Sequence, residues 1–250
     1  MYSMSSKKLL TSVRFIYGLH SRYQSTLPVA QDDKVSSSQS VSENPLSHPD
    51  YFGVQQMVSL RQLFDAKVHL GHKTGTLDQN MLPYIYGERL GICIFDLEQT
   101  LRHLHRALNI LAHIAYRGGV ILFVTNDRAN RVSFERAAIA CGEYAHTRRW
   151  VASTLLSAHQ TYGTEIRHPD CIVFVSILDR VFEQHDAIRE ASKLAIPTIG
   201  VVDSNVNPCL VTYPIPGNDD TPSSVELFLN LFRDTIITAK KRLKIDSAQA

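Results

Sequence analysis

A chain of 250 residues with 44% hydrophobic side chains is long enough to bury a substantial core, and 26 basic against 24 acidic residues leave a formal charge of only +2. That balance excludes binding by bulk positive charge, as in a histone or a basic-tail protein. The four cysteines form no Cys-x-x-Cys pair, which argues against a zinc ribbon or a dense disulfide framework and suits a reducing compartment.

Residues 1–30 hold Lys7, Lys8, Arg14 and Arg22 and no acid, the first carboxylate being Asp32. Leu9, Leu10, Val13, Ile16 and Tyr17 recur at helical spacing among Ser and Thr. An acid-free, Ser-rich, amphipathic start is the composition of a mitochondrial presequence, so import into the mitochondrial matrix is expected. A secretory signal fits worse, because there is no uninterrupted apolar core. No stretch approaches the roughly 20 apolar residues of a membrane span, and no membrane is expected among the partners. Beyond residue 30 the balance is 22 basic to 24 acidic residues, so the mature chain is slightly acidic.

Residues 31–56 read as a disordered linker, since 31–50 is rich in Ser, Gln and Pro and too poor in large apolar groups to offset the entropy of ordering. A folded domain is expected over 57–240, opening on Met57, Leu60, Leu63 and Phe64 at helical spacing, with 241–250 as a basic and polar tail. Within it, short β-branched runs at Ile92 to Phe95, Val120 to Val124, Cys171 to Val175 and Thr198 to Val202 predict strands buried on both faces, as in a parallel sheet. Leu97, Leu101, Leu104, Leu108 and Leu111 form one helical stripe that Gly118 and Gly119 terminate. Shorter helices are expected over Val132 to Cys141 and Phe182 to Leu194. A last helix has Thr221 as N-cap, Pro222 at the first helical position, and Val225, Phe228, Leu231 and Phe232 facing inward. Strand and helix in alternation give a three-layer α/β/α sandwich.

The signatures of dinucleotide, P-loop, serine-hydrolase and zinc-protease chemistry are all missing, and no cofactor is expected. Asp96, Asp127 and Asp203 follow strand ends, where such sheets bind ligands; helix capping is the simpler role for them. His69 and His72 flank Leu70 and Gly71 without an evident third metal ligand, so hydrogen bonding or phosphate contact is favoured over a metal site. From Arg61 to Arg149 there are 12 bases and 8 acids, whereas His168 to Thr235 has 4 bases and 10 acids. In the basic part, Arg128, Arg131 and Arg136 share one predicted helix, and His146, Arg148, Arg149 and Trp150 form a compact cluster. Guanidinium forks suit phosphate, and an adjacent indole either stacks on a base or packs a turn.

The motifs resemble the small-subunit ribosomal protein two family, in particular its mitochondrial branch. The similar segments are Leu63 to His72, Met81 to Gly87, Ile94 to Thr100, Ile121 to Val124 with Arg128, Arg149-Trp150, and Ile196-Pro197 through Val202-Asp203-Ser204-Asn205 to Tyr213 to Asp220. They span about residues 58–240 in order and at family spacing. The resemblance implies a flavodoxin-like parallel sheet and a non-catalytic component of the small ribosomal subunit, held against ribosomal RNA and neighbouring ribosomal proteins, with no small-molecule substrate. It places RNA contacts at His69, His72, Lys73, Arg128, Arg131, Arg148, Arg149 and Trp150. Gly71, Gly87 and Gly217 are expected at sharp turns or close approaches, and Asn218 to Asp220 at the cap of the last helix.

Three departures stand out. Gly75, Thr76 and Leu77 replace the basic residues and Trp usual there, Thr125-Asn126-Asp127 replaces Gly-Thr-Lys, and Val151-Ala152-Ser153 replaces Leu-Gly-Gly. Only twelve residues separate Leu156 from Pro169, which leaves no room for the long coiled-coil hairpin of bacterial members. Two other functions stay open on sequence grounds: a matrix enzyme using Asp96 and Asp203, and a scaffold that contacts protein alone.

Overall fold

The computed structural model describes residues 45–163, 166–180 and 183–249. The expected presequence, residues 31–44 of the expected linker, and Phe182 lie outside the described residues. The ordered chain begins well before Met57: Pro45–Ser47 and Val54–Gln56 are 3-10 turns, and Phe52 and Val54 are buried in the main core. Tyr51 fixes this stretch by donating to Asp246 at 2.8 Å. Two apolar anchors and one half-buried tyrosine thus overcome a polar composition at the end of the expected linker.

Ser59 opens helix α1 (Leu60–Asp65) through a reciprocal capping box with Gln62. Strands β1 (Leu70–Lys73), β2 (Ile85–Arg89) and β3 (Ile92–Phe95) then form an antiparallel sheet in the order β1-β3-β2. The run Ile92–Phe95 is therefore a strand, but not one of the parallel sheet; its alternate residues Cys93 and Phe95 are buried while Ile92 faces solvent. Helix α2 (Leu97–Tyr116) buries Leu104, Leu108 and Leu111 completely and ends where Gly118 turns left-handed at φ 70°.

The rest of the chain alternates as β4 (Ile121–Val124), α3 (Arg131–Cys141), β5 (Tyr144–His146), α4 (Ala158–Tyr162), β6 (Cys171–Phe174), the small hairpin β7 (Leu178–Arg180) and β8 (Glu183–Gln184), α5 (Asp186–Lys193), β9 (Thr198–Val202), β10 (Tyr213–Pro216) and α6 (Pro222–Gln249). Five of these strands form one wholly parallel sheet in the order β10-β9-β6-β4-β5. Counted along the chain this is 2-1-3-4-5, the flavodoxin-like doubly wound order, whose switch point lies between β4 and β6. Helix α6 continues through Gln249, so residues 241–249 end a helix rather than form a separate tail; Arg242 and Asp246 on it face Tyr51. No helix among the described residues is long and apolar enough to cross a membrane.

The two faces of the sheet are covered unequally. On one, α2, α3 and α6 pack over Ile121, Phe123, Val173, Ile199, Val201 and Ile215, with Phe134, Phe228 and Phe232 filling the layer. Each such side chain contributes about 2 kcal/mol. On the other, α5 packs over Ile172, Phe174 and Val202, joined by Trp150, Leu155, Met81 and Phe95. Close backbone approach accounts for two of the three glycines singled out by the resemblance. A Cβ on Gly217 would lie 2.8 Å from Val68 Cγ1, and one on Gly71 would lie 3.0 Å from Ser204 Oγ. Gly87 has open space around it and sits at a register shift between β2 and β3.

Candidate nucleic-acid interface

The carboxyl edge of the parallel sheet gathers the loops after β4, β5, β6, β9 and β10, and its two ends differ in chemistry. At the β9–β10 end, Asp203 is 1% exposed, accepts from Ser204 N, and lies 3.1 Å from His72 Nδ1. His72 Nε2 lies 3.3 Å from Asp220, and its backbone N–H donates to Ser204 Oγ at 2.8 Å. The Asp203 hydrogen bond outweighs burial and, with the nearby carboxylate charges, raises His72 to about 9. Asp219 is pushed well above the ordinary carboxylate range, first by burial and then by Asp203. His72, Asp203 and Asp220 alone among the described residues have metal-ligand spacing, their donor atoms within 4.8 Å of one another. A protonated His72 between the two carboxylates offsets one of their two charges.

Of the other strand-end aspartates, Asp96 caps a helix as expected, while Asp127 closes a local turn short of α3, whose N-cap Asn130 makes no side-chain cap hydrogen bond. Asp96 accepts from Glu98 N at 3.0 Å to start α2, and Asp127 accepts from Ala129 N at 3.0 Å and from the Asn130 side chain. Beyond β10, Asn218 accepts from Asp220 N and Thr221 N and donates to Lys67 O, closing the entry to α6.

At the β4–β5 end lie the arginines. Arg128 stands exposed in the loop after β4, Arg131 half-buried at the first turn of α3, and Arg148 and Arg149 exposed after β5. None of the four has an ion pair among the described residues. Their loop is fixed to α3 by a 2.6 Å hydrogen bond from Thr147 Oγ1 to Glu135. These four are the expected contacts that the fold brings together.

The remaining four are not so placed. Trp150 is 7% exposed, packs on His146 and His185, and donates from Nε1 to Glu190 at 3.2 Å, so its indole is buried structure and not a base platform. His69 stacks on Phe64 at 4.5 Å between centroids, and burial lowers its pKa, disfavouring the charged form that would pair with phosphate. His72 is engaged with two carboxylates, and Lys73 is exposed beside it at the acidic end.

Glu190 and Ser204 carry roles that sequence patterns did not single out. Glu190 is buried on α5 and accepts from Trp150 Nε1, Ser153 N and Leu155 N, holding the turn after Trp150, where Ser153 adopts φ 68° in place of a glycine. Its signal was an acid on the same helical face as Ala187, Ala191 and Leu194.

The doubly wound order, with ion pairs at one end of its carboxyl edge and, at the other, arginines without ion pairs among the described residues, defines a flavodoxin-like α/β protein. The family model described as Ribosomal protein S2 matches residues 63–168 and 159–239. The chain is 51% identical over 210 residues to the small ribosomal subunit protein uS2m of Bos taurus, covering 84% of this chain and 71% of that protein. The chain belongs to the Ribosomal protein S2 family.

Proposed function

We propose that this chain is a structural, non-catalytic constituent of the mitochondrial small ribosomal subunit, associated with ribosomal RNA and with neighbouring ribosomal proteins in mitochondrial translation. The observation that carries this is family membership across residues 63–239 together with 51% identity to a mitochondrial relative. Residues 1–30 serve as the import presequence. The matrix-enzyme alternative loses its groups, because Asp96 caps α2 and Asp203 is engaged by His72 and Ser204.

Within this role, Arg128, Arg131, Arg148 and Arg149 meet RNA phosphates, and the acidic β9–β10 end faces protein. Support comes from their place at one end of the edge, three exposed and Arg131 half-buried, without ion pairs among the described residues, while phosphate is repelled from the carboxylates at the other. A protein held by a few phosphate contacts releases steeply with salt. Sucrose-gradient sedimentation of mitochondrial lysate is expected to place the chain with the small subunit and high salt to strip it. Recovery only in soluble fractions overturns the proposal.

A further inference from the structure

The β5-to-β6 crossover leaves part of the sheet uncovered. In a doubly wound fold each crossover helix covers a face of the sheet, and α3 and α5 do so with eleven and eight residues. Among the described residues, the crossover from His146 to Cys171 contains only α4, five residues long. Trp150, Leu155 and Ala158 fill a fraction of the missing layer, and beside them an apolar groove of about 530 Å³ remains over β4 and β5. Leu122 and Val120 form its floor, half-buried; Tyr144, 65% exposed, and Ile166 stand at its rim.

The lining chemistry selects an occupant. Among the described residues no carboxylate lines the groove, whereas Arg167, His146 and His168 do. Two described carboxylates on the same strands and loops are engaged within the chain: Glu143 pairs with Lys240 and accepts from Ile121 N, and Asp170 accepts from Val120 N and from one nitrogen of Arg167. Arg167 keeps its other N–H groups for a further acceptor. The floor consists of side chains on the face of a sheet, offering no backbone partners, so an extended peptide laid there would leave its own amides unsatisfied; a helix satisfies its own. RNA has no apolar stripe to match an aliphatic floor. The acid-free residues 1–30 of this chain carry the wrong charge for a basic rim.

We propose that this groove receives an amphipathic helix of a neighbouring protein, its apolar stripe on Leu122 and Tyr144 and a carboxylate against Arg167, completing the outer layer of the sandwich. The inference rests on the ribosomal role proposed above. To test it, Tyr144 is replaced by the photo-crosslinker benzoylphenylalanine in the full chain expressed in mitochondria, the small subunits are purified and irradiated, and crosslinked peptides are identified by mass spectrometry. The expected product is a crosslink to one helical segment bearing apolar residues at i, i+3, i+4 and at least one Asp or Glu. In parallel, Tyr144→Glu with Ile166→Glu is expected to reduce that neighbour's occupancy in the subunit at least tenfold, with Tyr86→Glu, an exposed aromatic elsewhere, leaving it unchanged. A crosslink to RNA, a crosslink only to this chain, or none overturns the inference. If the chain fails to sediment with the small subunit at all, it is the ribosomal role that falls.

Discussion

The two ends of one sheet edge use their charges in opposite ways. At the β9–β10 end the carboxylates are engaged within the chain: Asp203 by His72 and the Ser204 N–H, Asp220 by the same His72. At the β4–β5 end four arginines have no counter-ion among the described residues, and the buried Glu190 spends its charge on backbone and indole donors instead. A segment's formal charge is therefore a poor guide to what it presents. His72 belongs to the basic part of the sequence, yet the fold uses it as the counter-ion of the acidic part. What remains for an anionic partner is the set of cations left unpaired by the fold.

The sharpest way to break the contrast is to remove what holds the basic end in shape. Glu190→Ala deprives three buried or half-buried donors of their acceptor, and each orphaned group costs about 1 to 3 kcal/mol, so a loss of about 4 kcal/mol is expected in urea denaturation. Glu190→Gln, which keeps an acceptor oxygen, is expected to lose less than half as much. If both variants unfold at the wild-type midpoint, the Arg148 loop is held by something other than this carboxylate.

At the acidic end, Asp203→Ala removes the partner of a charged imidazole and is expected to cost about 2 kcal/mol at neutral pH. The pH dependence is specific. Folded His72 titrates at about 9 against 6.5 in the unfolded chain, so its contribution is complete below pH 6.5 and vanishes as pH rises through 9. Asp219 acts in the same direction: its raised folded pKa keeps it protonated where the unfolded side chain ionises, so stability falls as pH climbs above about 4. Urea midpoints are expected to decline between pH 6.5 and 9, less steeply in His72→Gln. A rise over that range contradicts the pairing.

How much of this was legible in the sequence follows from the range of the interactions. The β-branched runs at 120–124, 171–175 and 198–202, the Leu stripe of α2 and the Pro222 start of α6 are local signals, and each formed its element, with two of the strands one residue shorter than expected. Ile92–Phe95 was a strand in the wrong sheet, because pairing partners are set by register across the chain and not by composition. Strands β5 and β10 are too short and too polar or Pro-containing to stand out alone; parallel neighbours make them strands. Of the expected contact residues, the arginines stayed at the surface, where side-chain type decides. Trp150 and His72 went elsewhere because Glu190 and Asp203 lie 40 and 131 residues away in sequence.

The arginine pair sharpens the contrast at intermediate size. Arg148→Ala with Arg149→Ala is expected to weaken incorporation into the small subunit about tenfold at moderate salt and to lower the salt slope by about 2, whereas Asp220→Asn at the acidic end has little effect. The reverse order would put RNA at the acidic end. Comparable losses from both variants would leave the two ends undistinguished.

The smallest expected effect isolates the reason for the contrast. Asp203 and Asp220 hold the same imidazole at nearly the same distance, 3.1 and 3.3 Å, but their side chains are 1% and 73% exposed. Water screens the second pair and not the first, so Asp220→Asn is expected to change stability by only about 0.3 kcal/mol. An NMR titration of His72 in the full chain separates the two. Its pKa is expected to fall markedly in Asp203→Ala and only slightly in Asp220→Asn. Equal shifts would mean that proximity alone, and not burial, makes the acidic end self-sufficient, and the exposed arginines at the other end would then owe their freedom merely to the lack of a nearby carboxylate.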